Sequence, residues 1–439
     1  MLKDLHPDSL VIKRLGKAVI NSPILGQHSG AGGFFYPTHD DELIPYSLQL
    51  SPYDRPHDDL FFEKAGARER VFFDGPQATA AIVTCGGLCP GLNDVIRALY
   101  FTLYYGYGLR KIYGIRYGFA GLAPNTEHPP VLLTPEQVEN IHKSGGTILG
   151  SSRGLQDVPA MADTLVRFGV DLLFCIGGDG TLRGAAALTD EILARKLSIS
   201  VIGVPKTIDN DIPFVYKSFG FETATEEAGR VLDCAHVEAR GARNGVGLVK
   251  LMGRHAGFIT AMATRANGDV NFCLIPEIEV VMHGPNGFLE HLRRRLKDRH
   301  HAVVAVAEGA CQNLIGHKAE HDDSGNIRFN EVGLFLKGAI QQAFAVWQEE
   351  VQVKYFDPSY IIRSVPANGP DKIFCADLAR YAVHAGMAGK TGMFIGFWHG
   401  FFTHIPFSAI CGQTKLLNST STLWQSVLNT TGQPARWGE

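Results

Sequence analysis

Residues 203–212 read GVPKTIDNDI and follow the largely apolar run ISVI. A lysine (Lys206), a threonine (Thr207) and two aspartates (Asp209 and Asp211) crowd the end of what reads as a buried strand. The aspartates stand one residue apart, so their repulsion calls for a compensating cation or hydrogen bond. A carboxylate at a strand end can accept a hydroxyl proton during phosphoryl transfer. A capped, water-exposed turn competes with that interpretation and would prevail if this segment stood alone.

It does not stand alone. Upstream, DLLFCIGGDGTLRGAAALTDEIL is a buried strand, a glycine turn and a helix. Gly177, Gly178 and Gly180 let the backbone come close to a ligand, and the helix N-terminus beyond them suits an anion. Asp179 at the strand tip is placed to hold Mg2+, which takes one or two carboxylates plus phosphate oxygens. TCGGLCPGLNDVIR at 84–97 repeats the design. Two such loops on neighbouring parallel strands fit one polyphosphate lying across both. LGSSRG at 149–154 adds Arg153, whose guanidinium can bridge phosphate oxygens.

The elements that must hold these residues follow a regular order after the first seventy or so positions. Apolar runs alternate with segments of helical period: ATAAIVTC with LNDVIRALYFTLYY, LSISVIGVP with ETATEEAGRVLDCAHVEA, GVGLVKL with RHAGFITAMATRA. HAVVAVAEG follows FLEHLRRRLKDR, and SYIIRSV, read as a strand, precedes DKIFCADLARYAVHAGMA. This alternation predicts an α/β fold with parallel sheets covered by helices on both faces, and ligands gathered at the strand carboxyl ends. With 439 residues, 45% of them apolar and 19% charged, the chain has material for two cores. A net charge of −3 argues against nucleic acid as a partner. No segment is apolar and long enough to span a bilayer, and the N-terminus lacks a signal peptide's apolar centre, so the expected location is cytoplasmic. HDDSGN at 321–326 reads as an exposed turn or loop.

Some chemistry-like features read as structural. AGKTG at 388–392 follows a helical segment, and a P-loop would need a preceding strand and glycine where His384 stands. His399 and His404 in FWHGFFTH sit among aromatics and read as strand or core. The eight cysteines read as small buried thiols, and Cys85 with Cys89 lacks a second pair at zinc spacing.

Taken together, GGLCPGLN, LGSSRG, GGDGT, PKTIDND, MGRHAGF, the glutamate after VAVA, and DPSYIIR resemble the motifs of the phosphofructokinase family, in that family's order, from about Ala78 into the final fifty residues. The resemblance implies two Rossmann-like three-layer domains and an N-terminal extension. Its expected boundaries are 1–75 for the extension and 76–220 for a nucleotide domain with a returning segment near 362–412. A fructose 6-phosphate domain would take 221–361 with 413–439. It implies phosphoryl transfer from Mg-ATP to the 1-hydroxyl of fructose 6-phosphate, bound between the domains, in a homo-oligomer (dimer or tetramer). On this resemblance Asp209 is the base, Thr207 neighbours the transferring phosphate, and Asp179 is the magnesium ligand. Arg153 and Arg254 stabilise charge on the moving phosphoryl group. Met252, Gly253 and Glu308 hold the sugar, Tyr360 and Arg363 lie near its 6-phosphate, and Lys354 falls where the short-chain branch has an arginine for that phosphate, reaching across a subunit interface. Gly87, Gly178, Gly180, Thr181 and Gly184 line the nucleotide phosphates.

The match also departs from the family's short-chain branch, which carries an arginine where Gly245 stands here and glycine where Lys206 stands. Both are features of the long-chain branch, which includes pyrophosphate-dependent enzymes as well as ATP-dependent ones. Gly180 favours ATP, because the pyrophosphate enzymes have aspartate there; Lys206 points toward pyrophosphate, the alternative donor. A catalytically dead regulatory subunit would be expected to lose Asp209, Asp179 or Arg254, and all three are present. A nicotinamide dehydrogenase would need a GxGxxG spacing that these loops lack.

Overall fold

The computed structural model describes residues 5–24, 37–48, 59–124, 126–154, 156–316, 329–410 and 412–438. The chain divides into two compact units. The first comprises Met1–Thr207, Ile212–Gly220 and Val365–Gln413, and the second Ile208–Asp211, Phe221–Ser364 and Thr414–Glu439. The expected loop at 321–326 lies outside the described residues.

The first unit is organised by a nine-stranded sheet. Its centre is parallel: Met393–Trp398, Ser200–Pro205, Leu172–Gly177, Thr79–Thr84 and Lys111–Ile115, in that spatial order. Every residue of Thr79–Thr84, Leu172–Gly177 and Ser200–Pro205 is buried, as apolar strands covered on both faces should be. Both edges are antiparallel, which the alternation of strands and helices did not predict. Phe401–Pro406 returns from Met393–Trp398 as a hairpin, and Phe61–Lys64 and Leu43–Pro45 extend the sheet beyond it. Val131–Leu132 closes the other side. Segments from the N-terminal seventy residues therefore supply edge strands.

That edge is held by a buried charged cluster. Glu63 accepts from Arg68 Nη2 at 2.7 Å, from His404 Nδ1 at 3.0 Å and from Lys390 Nζ. Burial alone would raise the Glu63 carboxyl; the hydrogen bond from His404 and the charge and hydrogen bond of Lys390 outweigh it and hold the group well below the usual range. The lysine of AGKTG is thus committed to Glu63 and Asp40, with its side chain only 2% exposed. The pair in FWHGFFTH is structural as well, His404 in the hairpin and His399 against the Tyr46 carbonyl at 3.0 Å.

The second unit carries a four-stranded parallel sheet in the order Phe272–Leu274, His301–Ala307, Gly245–Leu251, Gln352–Phe356. Helices Phe221–Arg240, Phe258–Asn267, Phe288–Arg299 and Val332–Val346 belong to this unit. SYIIRSV is not a strand, contrary to the expectation from its apolar run. The strand lies before it, at Gln352–Phe356, and Pro358 opens a tight helical turn. Asp357 Oδ1 accepts from the Ser359 N–H, and the Pro358 carbonyl accepts from the N–H groups of Ile361 and Ile362. Tyr360 and Ile361 are left exposed. No helix among the described residues is long and apolar enough to cross a membrane.

Candidate active site

In the first unit, three loops meet at the carboxyl ends of adjacent strands. Thr84 and Ile176 are register partners, so the loops after Thr79–Thr84 and Leu172–Gly177 start side by side. The third loop is tied to the first: Gly86 N–H donates to the Ser152 carbonyl at 3.0 Å, and Ser151 Oγ donates to the Gly86 carbonyl at 2.6 Å. Lys206, at the end of the next strand, is buried and reaches across to donate to the Gly87 carbonyl at 2.6 Å. Its own N–H donates to the Gly177 carbonyl at 2.9 Å. One lysine therefore fixes two glycine loops, and Arg153 stands exposed at the end of the third.

The turn from strand to helix at 177–181 leaves no room for a side chain at Gly177, where a Cβ would come within 2.1 Å of Thr181 Oγ1. Gly178 caps the helix Asp179–Ala194, and its carbonyl accepts from the N–H of Thr181 at 2.9 Å. Gly180 differs: a Cβ there would meet nothing within 4 Å. Gly184 packs against Phe119, 2.9 Å from where its Cβ would stand, so its bareness serves helix packing. Asp179 opens the helix, half exposed, with Arg183 Nη2 at 3.0 Å. Such a surface pair is worth at most ~1 kcal/mol and yields to a stronger cation. Cys85 lies beneath these loops, and burial pushes its thiol up to about 12, so it is no nucleophile.

In the second unit, Asp209 lies in the short segment Ile208–Asp211, and Thr207 belongs to the first unit, where its carbonyl accepts from Ser218 Oγ at 2.6 Å. Met252, Gly253 and Arg254 follow the strand Gly245–Leu251. Gly253 takes φ of 128°, closed to ordinary side chains, and its carbonyl accepts from the Gly309 N–H at 3.2 Å. Glu308 N–H donates to the Leu251 carbonyl at 2.9 Å, so Glu308 and Arg254 follow paired strands. Burial raises the Glu308 carboxyl, opposed by Arg254, then Lys250 and Arg363, and the net shift is upward. Arg363 stacks on Tyr360, with 4.7 Å from its guanidinium carbon to the ring centre. Lys354 is exposed on the edge strand Gln352–Phe356.

Three charged residues here went unremarked in the sequence. Lys250, largely buried beside Glu308, binds Glu331 at 2.6 Å and Asp357 at 2.7 Å. Glu277 accepts from the Gly257 N–H at 3.0 Å and from the Leu417 N–H at 2.8 Å. Lys415 donates its backbone N–H to the Asp211 carbonyl at 2.7 Å. The paired aspartates asked for a cation, and Lys415 supplies one from two hundred positions along the chain.

The chain is similar to known proteins. A family model described as "Phosphofructokinase" matches residues 79–386. An ATP-dependent 6-phosphofructokinase of Borreliella burgdorferi is 46% identical, over 96% of this chain and 96% of that protein. One from Amycolatopsis methanolica is 43% identical, over 99% of this chain and 97% of the other. Among solved structures, a pyrophosphate-dependent phosphofructokinase from Marinobacter aquaeolei superposes with a TM-score of 0.67, covering 82% of this chain and 92% of that one. At 20% identity it speaks for the fold alone.

Proposed function

Since the chain belongs to the phosphofructokinase family, we propose that it transfers the γ-phosphoryl group of ATP to the 1-hydroxyl of fructose 6-phosphate. Relatives named ATP-dependent, at 43–46% identity over nearly the whole chain, support the donor. The observation that carries it is Gly180, whose missing side chain leaves open space beside the phosphate loops.

In this reading Asp209 accepts the 1-hydroxyl proton as the oxygen attacks the γ-phosphorus. The bond to the β–γ bridging oxygen breaks, and ADP leaves carrying that electron pair. Arg254 and Arg153 face the charge that builds on the transferring group, Thr207 lies beside it, and Glu308 with Met252 and Gly253 holds the sugar. Arg363, Tyr360 and Lys354 take the 6-phosphate, the non-reacting end. Gly87, Gly178, Gly180 and Thr181 present backbone to the polyphosphate, with Lys206 keeping two of their loops together.

The donor set fits Mg2+: a single half-exposed carboxylate, Asp179, at a helix start beside two glycine loops. Magnesium characteristically binds through one or two carboxylates and substrate phosphates. Bound there, it would neutralise charge on the β- and γ-phosphates. We place the enzyme in the cytoplasm as a homo-oligomer, with the first unit serving the nucleotide and the second the sugar.

A coupled assay of the purified protein with each donor tests the reading. ATP should give a kcat/KM far above that for pyrophosphate. Pyrophosphate activity equal to or above ATP activity would sink the assignment.

A further inference from the structure

The stretch Thr414–Leu417 lies beyond every motif named above, yet it touches two of them. Lys415 N–H donates to the Asp211 carbonyl at 2.7 Å, inside the segment that carries Asp209. Its ammonium lies 5.0 Å from the ring centre of Phe258, the first residue of the helix that follows MGRHAG. Two residues on, Leu417 N–H donates to Glu277 at 2.8 Å, and that same carboxylate takes the Gly257 N–H at 3.0 Å. Leu417 itself is buried, packed with Trp424 and Ile275 in a small apolar cluster. A cation, an aromatic ring and a shared carboxylate thus stitch one short strap to both the Asp209 segment and the segment that ends the Arg254 loop.

We propose that residues 414–417 form a clasp that registers the Asp209 loop against the Arg254 loop, with Lys415 as a positioning residue for phosphoryl transfer. The inference rests on Asp209 and Arg254 having the roles given above. Its physical basis is the geometry of the two loops. The two loops follow different strands, Ser200–Pro205 and Gly245–Leu251, and the strap touches both segments, through Asp211 and through Phe258. Misplacing a reacting group by ~1 Å costs on the order of a hundredfold in rate. The Lys415 ammonium also compensates the Asp209–Asp211 repulsion through Asp211.

The charge state of the clasp is within physiological reach. Burial pushes Lys415 down to about 7, with Asp211 opposing the shift. Asp211 faces it from the loop, and His255, three residues before Phe258, feels the same Asp211 charge. Burial and Arg254 lower His255 from 6.5, with Asp211 opposing, so that imidazole is neutral above pH 6.5 and gives no titration on the alkaline side. Lys415 loses its proton as pH rises through about 7, and the hold on Asp211 weakens there.

Three variants of the full-length enzyme test the clasp: Lys415→Met, Lys415→Arg and Asp209→Asn. Lys415→Met keeps the aliphatic length and the backbone bond to Asp211 but removes the charge. With ATP and fructose 6-phosphate its kcat should fall at least ~tenfold, with KM for the sugar within about threefold. Lys415→Arg should recover most of kcat. It should also carry the alkaline limb of the kcat/KM profile to higher pH, since guanidinium stays charged. Turnover of Lys415→Met within twofold of wild type, or a loss confined to KM, overturns the proposal. So does an alkaline limb in Lys415→Arg that matches wild type, a readout that stands even if Lys415→Met fails to fold. An Asp209→Asn variant with near-normal turnover would overturn the base assignment and the clasp with it. An inactive Asp209→Asn beside a normal Lys415→Met overturns the clasp alone.

Discussion

Replacing Gly180 with aspartate tests the donor assignment through a single added charge. The position accepts a side chain: a Cβ meets nothing within 4 Å, and the residue is exposed. It is the second residue of the helix Asp179–Ala194, where an acidic side chain is favourable toward the helix dipole. Folding should therefore be unaffected or slightly improved, and any loss of activity reports on ligand. A carboxylate at ~4 Å from a nucleotide phosphate, at an effective dielectric near 20, is opposed by about 4 kcal/mol. Solvent at this exposed turn screens much of that, so about a third, ~1.4 kcal/mol, is a fair expectation. That corresponds to roughly a tenfold loss of nucleotide affinity. Gly180→Ala is the control, because a methyl group fits the same space without charge. Initial rates with ATP and with pyrophosphate, alongside melting temperatures, give the comparison. Gly180→Asp should lose at least tenfold in kcat/KM for ATP while Gly180→Ala stays within about threefold. If the aspartate variant keeps ATP efficiency within twofold of wild type, the charge argument is wrong. If alanine loses as much as aspartate, the loop's backbone and not its charge sets the donor.

Other residues separate chemistry from binding. Asp209→Asn should lower kcat by roughly two to four orders of magnitude with little change in KM, the range for a positioned general base; steady-state kinetics showing normal turnover would refute the role. Arg254→Ala should reduce kcat more than it raises KM, whereas a loss confined to KM would mark uniform binding. Arg363→Ala and Lys354→Ala should raise KM for fructose 6-phosphate and leave kcat nearly intact; Lys354 is the sharper case, being exposed on an edge strand, and an unchanged KM there would remove it from the site. Stability should fall with acid through His404, which burial pushes down to about 4 against the opposing pull of Glu63. Its folded value lies below its unfolded one near 6.5, so its contribution is complete above pH 6.5 and is lost as pH drops toward 4, roughly 2 kcal/mol by pH 5. His404→Gln should flatten the fall in melting temperature between pH 7.5 and 5, leaving the part owed to His384, which burial pushes down to about 3; an unchanged slope would contradict this.

What could be read from the chain, and what could not, divides by the range of the interactions involved. The phosphate loops were legible because strand, glycine turn and helix are contiguous in sequence: LLFCIGGDGTL states its own conformation, and Thr181 folding back over Gly177 needs no distant partner. SYIIRSV misled for a related reason. Its apolar letters imitate a buried strand, but Pro358 and the Asp357–Ser359 bond turn the backbone at once, and Tyr360 stays 75% exposed, stacked on Arg363. The antiparallel edge was hidden because Phe61–Lys64 is too short for a period to emerge, and its partner Phe401–Pro406 lies far along the chain. Hardest to see were the charges that hold the acid loop. Two aspartates one residue apart announce that a cation is needed, but local sequence carries no record of which one. A partly buried ammonium still loses hydration, so it is best kept where a carboxylate and a ring already await it. Lys415 meets that condition through Asp211 and Phe258, two segments brought together by the fold of the second unit. A lysine in TKLLNST looks like any surface lysine until those neighbours are in place, which is why the reactive carboxylates could be read directly and their support could not.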